Sequence, residues 1–512
     1  MTLSPSGVSV VGDIAAANAR MHPHSEAVVD GERRLTWKAL HDRVIRLANA
    51  LGDGLGLAPG DRASMLAENC LEYYEYFHAT AAAGVIAAPL NQRLAPTELA
   101  AVVEQVEPRV ILCDGSHTGL AAELAAAAAC PVVRIGGDDH LGYERLLASA
   151  SPSRADWRPD PESAATICFT GGTTGVPKGV VIPHRSLAAC GPRTMLYQGL
   201  TGYDRHLFVR PMAVAPGHRM VAQHGFSSGT TIIAPRFDPG IFYRLAEQER
   251  ATTSLLSPTM FQMLLSEGTT GFDLSTLKTF AYGGAPSTPD LTARVMEAFR
   301  NVDLHQVYGG TEIAVALHLG PDEHRAGLLD SVGREVPGVQ VRIVDEAGRE
   351  VPDGDTGELV VRSNELFSEY WRASEASAAA LRDGACWTGD LGVRDDQGYV
   401  RIVGRSKDVV ISGGFNVYPI EVENILADHP AVSEAAVIGL PHQRWGEAVH
   451  AVVVARPGAA VTAAELTAFC AGRIASYKTP KSIEFADALP RTPVGKIDKV
   501  SLRASRHGPP GM

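Results

Sequence analysis

The sequence predicts an α/β protein. A large N-terminal domain of parallel and mixed sheets with covering helices, closed by a small β-barrel-like module, precedes a small α+β C-terminal domain. Three observations carry this reading. Up to about residue 330, short apolar β-branched runs alternate with alanine-rich helical stretches, the pattern of a parallel sheet wrapped by helices. From residue 331, "SVGREVPGVQVRIVDEAGREVPDGDTGELVVRS" is rich in valine, glycine and turn pairs, as a small antiparallel module requires. After "VGRSKD" at 403–408, a final segment of about a hundred residues has its own strand–helix–strand character. The domains are therefore set at 1–404 and 405–512.

Each element follows from its local pattern. "RASMLAENCLEYYEYFHATAAAGVIAAPLN" reads as strand, helix and a second strand ending near Pro89 and Asn91. "AELAAVVEQVEPRVILCD" repeats helix then strand, and "AATICFT", "TTIIAP", "ATTSLLSP" and "LKTFAYGGAP" continue the alternation. The final segment reads as "VVISGGFNVYP", helix "IEVENILADHP", strands "AVSEAAVIGL" and "AVHAVVVA", then helix "TAAELTAFCAGRI". The tail "RASRHGPPGM" reads as disordered.

Composition excludes several function classes. At 512 residues the chain is too long for one core. Its 45% apolar and 20% charged content is that of a globular protein. A formal charge of −12, without any basic run interleaved with aromatics, argues against a nucleic-acid surface. No apolar stretch is long enough to span a bilayer, and the start "MTLSPSGVSVVGDIAA" lacks the charged n-region of a signal peptide. Seven cysteines without CxxC or metal spacing fit reduced thiols, so a cytoplasmic location is expected. Only eight of the 46 basic residues are lysines, which draws attention to lysines inside glycine- or proline-shaped motifs.

The densest such motif is "FTGGTTGVPKG", 169–179. Its glycines allow close backbone approach, its successive N–H groups make an anion cradle, and its threonines add donors. It is not a Walker A loop, because Pro177 precedes Lys178 and Gly179 follows. Five other stretches stand out. "YGGAP" (282–286) and "VYGGTE" (307–312) each follow an apolar run, at strand carboxyl ends where open α/β sheets bind ligands. "WTGD" (387–390) presents Asp390 after a tight turn, "GRSKDVVISGGFNVYP" (404–419) sets an arginine and a lysine beside a turn, and "PRTPVGKID" (490–498) carries Lys496 on a shaped loop. Taken singly, each also fits an ordinary turn or cap.

In this order, the six motifs resemble the adenylate-forming superfamily of acyl-CoA synthetases, adenylation domains and luciferases, over nearly the whole chain from "GVIAAPLNQRL" to "RTPVGKIDK". The resemblance implies a mobile C-terminal domain and activation of a carboxylic acid with ATP and Mg²⁺, followed by transfer to coenzyme A. Thr170, Gly171, Gly172, Thr173, Thr174, Gly175 and Lys178 would form the phosphate loop. Gly284, Ala285 and Pro286 would line the adenine pocket, with Tyr308 beside the base. Thr311 would meet the α-phosphate, and Glu312 would hold Mg²⁺. Asp390 and Arg405 would bind the ribose, Lys407 would be the hinge, and Lys496 would reach the reacting carboxylate and α-phosphate. Val214, Tyr282, Gly283, Gly309, Gly310 and Ala314 would face the acyl pocket, the glycines at 309 and 310 leaving room for an aryl group or a long chain. Trp445 in "HQRWGE" and Lys481 in "YKTPK" match regions that contact coenzyme A in aryl-CoA ligases.

The sequence departs from this family at two places. Gly171 stands where many relatives have serine, and Val214 stands in "PMAVAPG" where relatives often have the histidine of P-L-x-H-x-x-G. His218 lies out of register to replace it. Three readings of function stay open at this level: a coenzyme A ligase, an adenylating enzyme with another acceptor or acid (a carrier protein, an amine-bearing substrate or nitrite), and an inactive scaffold. A homodimer is also left open.

Overall fold

The computed structural model describes residues 10–137, 141–153, 158–170, 177–214, 216–471, 473–492 and 496–506. Two large sheets organise the N-terminal part. The nine-stranded sheet runs in the order Arg334–Glu335, Ala314–Leu319, Asp303–Gly310, Thr279–Gly283, Thr253–Leu256, Arg205–Phe208, Thr230–Ile233, Glu26–Asp30, Arg33–Thr36. Its inner strands are parallel and its edges antiparallel. The seven-stranded sheet is parallel from Val132–Arg134 to Ala164–Thr170, and becomes antiparallel at Lys178–Pro183 and Glu369–Tyr370.

Helix Leu71–Ala83 is buried on almost every side, carrying Tyr73, Tyr74, Tyr76 and Phe77 into one core with residues of both large sheets. Its two buried carboxylates are paired there, Glu72 with Arg33 and Glu75 with Arg43. Several covering helices start on side-chain caps followed by proline, as at Asp238, Ser257 and Thr288, where the side chain accepts the third residue's N–H. A five-stranded antiparallel sheet follows, containing Thr356–Arg362, Ala385–Arg394 and Val400–Arg405. A second core gathers residues from all three sheets, and the candidate site lies at that convergence.

The C-terminal part has its own sheet, in which Val432–His442 pairs antiparallel and Ser482–Phe485 parallel with Gly446–Ala455. Two sequence expectations shift here. Arg405 still pairs with Asp390 in the ladder of the preceding sheet, so the strand ends one residue beyond the expected boundary. The tail expected to be disordered begins in helix Lys499–Ala504, held by Arg503 to Asp408 and by Arg506 to Glu484. No described helix is long and apolar enough to cross a membrane, and all seven cysteines are free thiols.

Candidate active site

A hairpin turn supplies the central carboxylate. Strands Asp303–Gly310 and Ala314–Leu319 pair with Gly310 opposite Ala314, so Thr311, Glu312 and Ile313 form the turn. The register slips between Tyr308 and Gly309. A Cβ on Gly309 would stand 1.7 Å from the Ala314 carbonyl oxygen. Glycine at 309 is therefore set by close backbone approach rather than by room for a substrate, which corrects the sequence reading of that position. Ala314 itself is buried with φ at 56°, so it shapes the turn. Gly310 is different: an added Cβ would make only an ordinary contact, 3.5 Å from Glu312 Oε2. We expect Gly309→Ala to destabilise the protein by roughly 1–3 kcal/mol, read as a lower midpoint in urea unfolding. An unchanged midpoint would show that the strands part freely.

The turn is clamped from behind. Arg219 Nη2 donates to the Thr311 carbonyl at 3.2 Å, and the Phe367 N–H donates to the Glu312 carbonyl at 2.8 Å. The Glu312 carboxylate accepts from the Tyr370 hydroxyl at 3.0 Å, and Lys178 Nζ stands 5.2 Å from the centre of the same Tyr370 ring. Strand Glu369–Tyr370 pairs with Lys178–Pro183, and this register brings the lysine and the carboxylate together around one tyrosine. Lys178 lies opposite Thr170 across the ladder. The intervening Gly171, Gly172, Thr173, Thr174 and Gly175 lie outside the described residues.

Opposite stands a second polar group. Asp390 faces Arg405 across two antiparallel strands, with Arg405 Nε 2.7 Å from Oδ1, and the Tyr308 hydroxyl donates to Oδ2 at 2.8 Å. Burial, and then the Asp390 charge, hold the Tyr308 phenol pKa well above its usual range, so it stays a donor. Burial pulls Arg405 down, but Asp390 and Tyr308 more than offset this and raise it. Gly284, at φ 83°, forms an open wall with half-buried Ala285 and exposed Pro286. Arg210 lies against that wall, its Nη1 3.5 Å from the Gly283 carbonyl. Burial, then Arg93, push Arg210 down to about 10.

Lys496, from the C-terminal part, faces this group. It is solvent-accessible, yet its charge is felt by Arg405, Asp390, Arg210 and Glu312. The partly desolvating surroundings, then Arg405 and Arg210, lower its pKa against the opposing pull of Asp390 and Glu312. Lys407 sits exposed in the short 3₁₀ turn Ser406–Asp408 between the two parts. Trp445 stacks on His442 with ring centroids 4.3 Å apart, and Lys481 Nζ lies 5.4 Å from its ring, so those two predicted residues do meet.

The expected acyl-pocket residues divide. Tyr282 is buried on the far face of its strand, its hydroxyl 3.0 Å from Gln306 Oε1 and 2.9 Å from His324 Nε2. Strand period two turns it away, and Ala281 takes the near face instead. A Cβ on Gly283 would stand 2.2 Å from the Val307 carbonyl oxygen, so this glycine too is dictated by its neighbour strand. Val214 is half-buried at a turn, accepting from the Gly217 N–H at 2.7 Å. His218 is stacked on Phe77 in the core, 4.3 Å between ring centroids, and does not substitute for the missing histidine.

Arg210, Arg219, Ala281 and Tyr370 escaped the sequence reading. In a chain this rich in arginine, nothing local separates Arg210 or Arg219 from the rest. Tyr370 sits in "SEYW", an aromatic pair whose partners lie 58 residues upstream and across a ladder.

Residues 15–371 match the model of the AMP-binding enzyme family, and residues 421–496 match that of the AMP-binding enzyme C-terminal domain. A feruloyl-CoA synthase of Amycolatopsis sp is 37% identical over 96% of this chain and 98% of its own. The fatty acid–[acyl-carrier-protein] ligase ScoC of Streptomyces coeruleorubidus is 35% identical over 95% of this chain and 94% of its own. The crystal structure of ATP-bound MatB from Rhodopseudomonas palustris superimposes with a TM-score of 0.88, at 32% identity over 96% of this chain and 98% of that one.

Proposed function

The chain belongs to the AMP-binding enzyme family, and from that premise we propose that it is an acid–thiol ligase. It joins a carboxylic acid to the α-phosphate of ATP with release of pyrophosphate, then transfers the acyl group to the thiol of coenzyme A. The observation that carries this reading is Lys496. It reaches from the C-terminal part into the electrostatic range of Glu312, Asp390, Arg405 and Arg210. Attack of a carboxylate on a phosphate brings two anions together, so cations aimed at the developing charge supply the catalysis.

The residues divide the work by chemistry. Asp390, held by Arg405 and Tyr308, offers carboxylate oxygens to ribose hydroxyls. Gly284, Ala285 and Pro286 give a flat wall for the base. Lys178 neutralises the departing phosphates, and Thr311 lies beside the α-phosphate. Lys496 pairs with the reacting carboxylate and the α-phosphate. Trp445 and Lys481 form a stacking face with a cation for the nucleotide end of coenzyme A.

The residues present also fit Mg²⁺. Glu312 offers hard oxygens, with Tyr370 donating to one of them. Among the described residues no group of three or more His, Cys, Asp or Glu is set to hold a metal. Glu312 would hold such a cation, which would supply charge neutralisation at the phosphates. Glu312→Gln should raise the Mg²⁺ concentration for half-maximal turnover by roughly tenfold or more and leave AMP binding nearly intact. Calorimetry with AMP and with MgATP checks this; an equal loss for both would make Glu312 structural.

Similarity to ScoC favours a second reading, in which the acyl group passes to a carrier protein. The cytoplasm, where ATP and free thiols coexist, is the setting that suits seven unpaired cysteines. One assay decides between the readings. Aryl and fatty acids are screened for ATP-dependent pyrophosphate release, then coenzyme A or a phosphopantetheinylated carrier protein is added and the thioester is identified by mass. No pyrophosphate from any acid would overturn the proposal, and thioester formed only on the carrier would replace coenzyme A as acceptor.

A further inference from the structure

Below the site, a cavity of about 20 Å³ opens between helix Pro216–Phe226 and the nine-stranded sheet. That is room for a single water-sized group. Ala281 and Thr279 line it from the strand that ends at Gly283, and Thr253 and His206 line it from the neighbouring strands. Residues 279, 281 and 283 share one face of their strand. At about 3.3 Å per residue, the cavity starts roughly 7 Å below Gly283 and ends roughly 13 Å below it. The helix that covers it begins just after Val214. The cavity thus lies along the same strand face and under the same helix as two positions expected at the acyl pocket, Gly283 and Val214.

Its chemistry is specific. His206 and His224 stack with ring centroids 3.6 Å apart, at an interplanar angle of 15°. His206 Nδ1 lies 3.0 Å from the Thr253 hydroxyl, while its Nε2 is buried with no hydrogen-bond partner. Both rings are buried. An orphaned polar nitrogen beside a water-sized void is a recognition element awaiting one donor or acceptor. Burial, then His224, depresses His206 well below the usual range, and burial pushes His224 down to about 3 despite Asp204 nearby. Burial thus keeps both rings neutral, and among the described residues lining the cavity there is no lysine or arginine to balance an anion.

We infer that the acid this enzyme activates carries an uncharged oxygen function, a hydroxyl or carbonyl, at the end remote from its carboxyl group, and that His206 receives it. The inference rests on the adenylation reading above and names the substrate class of that same site. An alkyl terminus would leave the His206 nitrogen buried and unpaired, and a second carboxylate would be buried without a counter-charge.

The test uses the full-length enzyme and pairs of acids, aryl and straight-chain, that differ only in a distal hydroxyl, methyl or carboxyl group. Pyrophosphate release gives kcat/KM for each. The hydroxyl member should exceed its methyl partner by roughly tenfold to a hundredfold, and the carboxyl member should be poorest. His206→Phe should collapse the hydroxyl-to-methyl ratio towards one through KM for the hydroxyl acid, while His206→Gln, which keeps a donor and an acceptor, should retain part of it. The wild-type comparison decides even if a variant fails to fold. Methyl acids turned over as efficiently as hydroxyl acids would overturn the inference and leave adenylation standing, the cavity then holding only a structural water. Pyrophosphate from no acid at all would overturn the adenylation reading, and the inference with it.

Discussion

Lys496→Ala should slow acyl-adenylate formation by roughly 10²–10³, and should slow the later thiol step far less. Lys496 is the cation of the C-terminal part whose charge meets Glu312, Asp390, Arg405 and Arg210. On the proposed reading the developing negative charge of the first step would fall between those groups, whereas a thiol attacking a preformed acyl-adenylate makes no new phosphate bond. Two assays separate the steps: acid with ATP, and presynthesised acyl-adenylate with coenzyme A. Equal losses in the two assays would overturn this assignment; the backbone N–H of residue 496, which meets the Thr492 hydroxyl at 3.2 Å, is untouched by the substitution. A pH profile adds a second check. The ammonium's pKa lies below the ordinary lysine value of 10.5. Raising the pH removes the needed charge, so adenylation should fall on an alkaline limb below that value. Lys496→Arg should move the limb upward.

Lys407→Pro should nearly abolish thioester formation while keeping adenylation within about tenfold of wild type. Lys496 and the stretch 412–419 belong to the same small part, and we propose that they serve different half-reactions. One small domain does not present two surfaces to one site at once, so it turns between the steps, with Lys407 absorbing the change. Lys407 here occupies the 3₁₀ turn Ser406–Asp408. Proline's φ near −65° suits that turn and excludes a backbone that swings elsewhere. Crowding of the ring against Ser406 accounts for the modest adenylation loss. Single-turnover pyrophosphate release beside thioester yield by mass spectrometry decides the matter. Unimpaired thioester formation would place the hinge at another residue.

Much of the candidate site could be proposed from the sequence because its motifs are local. A glycine-rich loop after "AATICFT", the "YGGAP" and "VYGGTE" strand ends and the Pro/Gly-shaped loop of Lys496 each declare themselves within ten residues. Strand Ala164–Thr170 matches that run residue for residue, and strands Thr279–Gly283 and Asp303–Gly310 end on their glycines as expected. The readings that failed were about direction. Tyr282 and Ala281 are neighbours in sequence, yet one enters the core and the other the cavity. Gly309 is small because the Ala314 carbonyl stands where its side chain would be.

By itself, then, the sequence determined the α/β class, the order of the motifs and the family they belong to. Hydrophobic period, turn chemistry and glycine placement are properties of short windows, and they survive without knowledge of partners. The tertiary structure alone decided which groups meet. Tyr370 joins Lys178 to Glu312 through a two-residue strand paired with Lys178–Pro183, and His206 acquires its stacked partner His224 from a helix over the sheet. A one-residue offset on a strand reverses a side chain's face, and contacts between distant segments depend on that register. No local pattern encodes it, because register is set by the packing of whole sheets against a shared core.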